Sequence, residues 1–438
     1  VTHQHQDNPT SARRAIESLQ EFSLLQALFG RRSRRFGVGM EIPDGPLAYK
    51  SAHPPQALSE FERTLLIVAG AGISGLNFGI PFSPSMNEGA GCNYTVRPIG
   101  RTYPSGAATY GSEMVIVDDS GIYITKFREL DASRIQEYQG ADDIERLMAW
   151  LKTYIIKISD QRLDLPAEAP HISAHNRWVA NRPGTTLFFP ISDQVDSLMN
   201  HLWIRTSEGY AIKDHVTGRI LGKPDALVKA GKMDLSRAVP LSLFEGNSRN
   251  STTAELSITS YNIQLLMQAM GLGGWLFSGI NMPSLFGAFK DQGIEGFGFR
   301  FQRNDKWLQP NPVGLDGIFE PLIPPYVSDM YEAVRKFADR KFGARGNHHP
   351  ERFGPYQDNQ GIKSQAQRPS PEFIEYLGSL AQDIYDTYGK FPATIPSIGL
   401  AAYTQAHHID MDFYDKFYGD GAYLETHVNH QKIWHAED

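Results

Sequence analysis

The apolar positions of this chain fall mainly at helical spacing, interrupted by polar stretches rich in Gly and Pro. Over residues 11–29, Ile16, Leu19, Leu24 and Leu28 recur near a 3.6-residue period and Gly30 follows as a stop, which predicts one amphipathic helix. A loop then runs to about residue 57. Ser59 and Glu62 have the spacing of a capping box, and Phe61, Leu65 and Val68 continue the helical period, so a second helix opens at Ser59. Residues 76–112 lack periodicity and read as loop. Residues 113–117 and 122–126 flank Asp118-Asp119-Ser120-Gly121, a hairpin signal. Helices are expected over 143–158, 193–204, 328–341 and 372–388, and strands over 185–189 and 240–244. The clearest stripe, Ile258, Tyr261, Leu265 and Ala269, predicts a helix over 252–270 that opens on the pair Thr252/Glu255 and closes on Gly271. Residues 343–370 are poor in apolar side chains and read as a linker or surface excursion.

One glycine run offers a tempting chemistry. Gly70-Ala71-Gly72-Ile73-Ser74-Gly75 matches the G-x-G-x-x-G fingerprint of dinucleotide sites. That fingerprint needs a strand before it, a helix after it and an acidic residue closing a second strand. Here a capped helix precedes it, Pro81 and Pro84 interrupt any long helix after it, and the segment around Glu88 is no strand. The glycines therefore read as the end of a helix, which presents carbonyls and is the wrong end for a pyrophosphate.

Composition narrows the classes. A chain of 438 residues with 41% hydrophobic residues can bury a large core and hold more than one domain. Its net charge of −7 argues against a general nucleic-acid binder, yet leaves room for a local anion site built from arginines. The single cysteine, Cys92, excludes an internal disulfide and any CxxC-type metal motif. With no signal-peptide-like segment and no long apolar span, a cytoplasmic protein without a membrane partner is expected.

Three segments, in this order, carry a family resemblance. Arg31-Arg32-Ser33-Arg34-Arg35-Phe36 is similar to the RRSxRxF motif of the nitroreductase superfamily. Arg101-Thr102-Tyr103-Pro104-Ser105-Gly106-Ala107, ahead of the 113–126 hairpin, resembles the R-x-x-P-S-x-G-A stretch of its azoline dehydrogenase branch, with one glycine rather than two before the alanines. Asn262 and the following helix end at Gly271-Leu272-Gly273-Gly274 look like the family's N-x-x-L…G-L-G segment.

The resemblance implies an α+β fold, a mostly antiparallel sheet flanked by helices, with FMN at a homodimer interface. It implies that Arg31, Arg32, Ser33 and Arg35 hold the phosphate and ribityl end, guanidinium groups being suited to bidentate phosphate contacts. Arg101, Pro104, Ser105, Gly106, Asn262, Gly273 and Gly274 are implied around the rest of the cofactor. The implied activity is two-electron transfer through flavin between NAD(P)H or another donor and a small nitro, quinone or azoline-like molecule. No catalytic residue is assigned, because the flavin itself would carry the chemistry. Residues 1–342 are expected to form this core, with an insertion or a degenerate second copy at about 150–250, and 343–438 a C-terminal extension. The motif leaves the usual terminal arginine unplaced; Arg300 is one candidate.

The last stretch, 403–435, combines His407, His408, His427, His430 and His435 with Asp410, Asp412, Asp415 and seven aromatic residues. His427 and His430 have the spacing that places two imidazoles on one helical face. Without a complete ligand motif the stretch reads as aromatic packing around the core, with no metal. Two other classes remain beside the flavoenzyme: a metalloenzyme using these histidines, and a non-catalytic binding scaffold on the same fold.

Overall fold

The computed structural model describes residues 9–80, 93–135 and 141–435. At its centre is a seven-stranded antiparallel sheet. We label its strands β1 (Ser112–Asp118), β2 (Gly121–Thr125), β3 (Ile155–Ser159), β4 (Thr186–Asp193), β5 (Gly273–Phe277), β6 (Ile398–Leu400) and β7 (Tyr403–His407). The spatial order is β5-β7-β4-β1-β2-β3, with β6 continuing alongside β4. Both faces of the sheet are covered. Met114 and Ile116 point into one core while their neighbours Val115 and Val117 point into another, as the two-residue strand period requires. The expected α+β class and the 113–126 hairpin are what the chain adopts.

Three helices matter for the site. The first, α1 (Glu60–Ala71), is capped by Ser59: its Oγ accepts from the Glu62 N–H, and Glu62 accepts from the Ser59 N–H in return. It ends at Gly72, so a helix, not a strand, precedes the glycine run. A 30-residue helix, α2 (Leu241–Met270), packs along β4, β5 and β7 and closes on Gly271 in the left-handed conformation at φ 78°. A short helix, α3 (Glu425–His430), passes directly into a π-type turn over Gln431–His435.

Several sequence expectations change. The 11–29 helix is two helices, Pro9–Glu21 and Leu24–Gly30, because Ser23 and Gln26 form a second capping box that restarts the chain. The 143–158 helix stops at Lys152, and Ile155–Ser159 becomes the edge strand β3. Residues 241–244, expected as strand, are the first turn of α2, so Thr252 and Glu255 lie inside that helix rather than at its start. Thr252 Oγ1 donates back to Ser248 O at 3.1 Å, and Glu255 is buried. Within 76–112, Ile99–Arg101 pairs with Ile73–Leu76; residues 81–92, with Pro81, Pro84, Glu88 and Cys92, lie outside the described residues. The 343–370 stretch is no linker, since it contains the helix Asn359–Lys363 and the buried His348 and Lys363.

The largest correction concerns the domain boundary. Strand β7 lies between β5 and β4, so residues beyond 343 complete the central sheet and are not an extension of a finished core. Residues 150–250 likewise supply the interior strand β4 and are not an insertion beside it.

Candidate functional site

The basic turn follows the helix Leu24–Gly30 and runs beside β5. The Gly274 N–H donates to Arg34 O at 2.7 Å, which pins the turn to the sheet edge. Arg34 is buried: its guanidinium donates to Gln268 Oε1 at 2.6 Å, Ala422 O at 2.8 Å and Gly30 O at 3.3 Å, and burial lowers its pKa to about 10. It is a structural cation. Phe36 is buried too and Arg31 half-buried, whereas Arg32, Ser33 and Arg35 are exposed. Arg32, Ser33 and Arg35 line a cleft of about 360 Å3, together with Trp178, Phe413, Tyr414 and Tyr418. Arg35 lies 6.0 Å from the Trp178 ring, and Arg32 donates to Phe29 O and Arg31 O. Among the described residues Arg31, Arg32 and Arg35 make no ion pair. Asp420 is on the cleft lining and engages none of them.

The remaining residues of the resemblance are placed elsewhere. Arg101 is buried, its guanidinium donating to Phe127 O. Ser105 Oγ donates to Glu255 Oε1 at 2.6 Å and accepts from the Tyr110 N–H, and Asn262 Nδ2 donates to Thr102 O at 3.0 Å. Pro104 and Gly106 are exposed on the same loop. This group converges on the middle of α2, not on the arginine-lined cleft. Gly273 and Gly274 do permit a close approach, but to the protein's own chain. A Cβ on Gly273 would meet Arg34 O at 2.9 Å, and one on Gly274 would meet Gln405 O at 2.0 Å. Arg300 is exposed, pairs with Asp316 and is not on the lining of the arginine cleft.

A second concentration of chemistry lies where α1, β7, α3 and the π turn meet. Glu62, His408, His430 and His435 each offer a ligand-type atom, all within 4.8 Å of one another. Glu62 Oε1 is 3.0 Å from His430 Nε2 and 3.2 Å from His435 Nε2; the two Nε2 atoms are 3.3 Å apart. His408 Nε2 lies 4.0 Å from Glu62 Oε2. Burial pushes His408 down to about 3, against the raising effect of the Glu62 carboxylate. Burial also opposes ionisation of Glu62, but the surrounding imidazoles outweigh it and hold the carboxyl well below the usual carboxylate range. His407 and His408 are consecutive at the end of β7 and leave it on opposite sides. His407 Nε2 meets Arg34 O at 3.1 Å, and His408 faces Glu62.

The sequence pairing of His427 with His430 is not the one used. His427 Nδ1 accepts from the Leu424 N–H at the start of its own helix and stays outside the group. His435 takes its place because of the π turn. Five residues along a regular α-helix leave two side chains about 140° apart, whereas the wider i→i+5 turn brings them to one side. Glu255 was also missed. Burial raises its carboxyl to about 7, with Ser105 and Ser112 as its hydrogen-bonding partners. The only trace of either residue in the sequence was a capping-box spacing, correct for Glu62 and misleading for Glu255. A second grouping, His53, Asp410 and Asp412, is exposed at His53 and Asp412, and Asp410 is engaged in capping a helix. No protein-family model matches this chain, and a search of curated proteins finds no match to it.

Proposed function

We propose that the chain is an FMN-dependent oxidoreductase of nitroreductase-like fold, passing two electrons between NAD(P)H or another donor and a small nitro, quinone or azoline-like molecule. The observation that carries this reading is the exposed pair Arg32 and Arg35 on an aromatic-lined cleft, with the half-buried Arg31 next to it in the chain, all three without acidic partners among the described residues. Three like charges on one turn repel one another, and a dianionic phosphate relieves that repulsion. Arg31, Arg32, Arg35 and Ser33 would hold the phosphate, and Trp178, Phe413 and Tyr414 offer flat apolar surface beside it. The flavin supplies the redox chemistry; the protein's share is to orient it and keep water from its reactive face. The FMN-rather-than-FAD choice rests on α1 preceding the glycine run, which leaves no dinucleotide site there.

The second copy implied for such enzymes has an obvious place to sit. The helix Leu24–Gly30, directly before the arginines, exposes Leu24 at 68%, Leu25 at 64% and Phe29 at 77%. Exposed apolar clusters of this kind mark contact surfaces.

The test is the visible spectrum of the purified protein, followed by heat release of the cofactor and its mass. Oxidised-flavin bands and the mass of FMN are expected. Replacing Arg31 and Arg35 together by Ala removes charge-assisted bonds worth about 1.5–3 kcal/mol each, and a folded, flavin-free variant is expected. A colourless protein, or recovery of FAD, overturns the reading.

A further inference from the structure

We propose that Glu62, His408, His430 and His435 form a closed structural zinc site that fastens the C-terminal segment to the core.

Hydrogen-bond accounting closes this cluster without a metal only by adding a second, buried proton. His430 Nδ1 lies 2.7 Å from Met270 O, which can only accept, so Nδ1 carries the ring proton and Nε2 of the neutral ring is a lone pair. That lone pair faces Glu62 Oε1 at 3.0 Å and His435 Nε2 at 3.3 Å, while His435 Nε2 stands 3.2 Å from the same oxygen. One proton on His435 Nε2 serves two edges of this triangle. It leaves the third, between His430 and Glu62, as two lone pairs in contact. A second proton mends that edge, either on His430 Nε2, which makes one buried imidazolium beside the carboxylate with two N–H groups 3.3 Å apart, or on Glu62, which makes a neutral carboxylic acid. A single metal ion serves all three edges at once.

The dimensions agree. A triangle with sides near these three distances has corners about 1.8 Å from its centre. An ion roughly 0.9 Å off its plane would then lie about 2.0–2.1 Å from each corner, the ordinary zinc–nitrogen and zinc–oxygen length. His408 supplies the fourth corner. Its ring centroid is 4.9 Å from that of His430 and 5.3 Å from that of His435, and its buried Nδ1 has no hydrogen-bond partner among the described residues.

The donor set points to the metal class. Three imidazoles and one carboxylate suit a first-row divalent ion and not calcium or magnesium, which prefer oxygen throughout. Four protein ligands complete a zinc tetrahedron. The side chains of Glu62, His408 and His430 are at most 4% exposed, and that of His435 is 19% exposed, so no room is left for a substrate. The ligands are themselves held in place. Met270 O fixes the His430 ring, and the Ser59 N–H donates to Glu62 Oε2 at 2.6 Å, leaving Oε1 free to bind.

The proposal is independent of the flavin reading, and its test involves no flavin. Metal-stripped full-length protein is titrated with Zn2+ and, separately, with Co2+, and its melting temperature is recorded. One equivalent of zinc per chain is expected, with a cobalt spectrum of tetrahedral type. Melting should rise by roughly 3 °C at 100-fold excess over the dissociation constant. Glu62→Gln keeps an oxygen for the Ser59 cap and turns an amide N–H2 toward the imidazoles; it should fold and lose zinc. His435→Ala should weaken binding by about 100-fold or more. Failure of the wild-type protein to take up stoichiometric zinc or cobalt overturns the proposal, whatever the variants do. So does uptake unchanged in both variants, which would place the metal elsewhere.

Discussion

At the scale of single residues, Glu255 links burial to a measurable pH response. Its carboxyl is raised to about 7, mainly by burial, against an unfolded value near 4.5. A raised folded-state pKa gives stability that is fully present below about pH 4.5 and is lost as pH rises through about 7. Between pH 5 and pH 8 the loss from this group should be about 2–3 kcal/mol. Urea unfolding of wild type and Glu255→Gln at both values checks it. The variant should show a smaller fall, and equal falls would mean that Glu255 ionises freely in the folded protein. Neighbours in sequence announced neither this residue nor Glu62 fully. The local role of Glu62, capping α1 with one oxygen, was legible because its partner is three residues away. The role of its other oxygen was not, because His408, His430 and His435 arrive from the far end of the chain. The same holds for the arginine turn: the motif named the charges, but only the fold separates the buried Arg34 from its exposed neighbours.

Among the elements, the reading succeeded where local signals and burial agreed and failed where burial overrode them. The α1 cap and the 113–126 hairpin needed nothing from elsewhere. The first three turns of α2, by contrast, carry Asn247, Ser248, Asn250, Ser251 and Thr252, residues that compete with the helical backbone. They stay helical because Phe244, Glu245 and Ser248 are buried and partnered: Glu245 accepts from the Ala393 N–H, and Ser248 donates to Ser197 Oγ. The helix Leu24–Gly30 makes the opposite point, since it buries only Ala27 and leaves its leucines and Phe29 outside. If a second copy covers this face, Leu25→Glu/Phe29→Glu should weaken self-association by about 100-fold. Light scattering across a concentration series reads this directly. A monomeric wild-type protein, or a dimer unaffected by the pair, would assign the helix another partner.

For the whole molecule, among the described residues no helix is long and apolar enough to cross a membrane. Its organisation is set by which strands meet, and composition says little about that. The apparent boundary at 342 followed a real drop in apolar content, but sheet order ignores such drops. Because β7 pairs with both β5 and β4, truncation after Phe342 should yield an insoluble or unfolded product in place of a smaller domain. Circular dichroism and limited proteolysis decide it: a stable, cooperatively melting 1–342 fragment would show that the sheet closes without β7.

The place of β7 also bears on how the protein is made. Synthesis delivers β4 and β5 well before residues 403–407 leave the ribosome. For that interval β4 and β5, which carry Phe, Leu and Trp, present unpaired N–H and C=O groups to whatever strand comes near. Nascent chains on crowded polysomes would meet one another in this state. Holding chaperones, slow early translation or codons that hasten the last hundred residues would each change the yield of native protein without altering any contact in it.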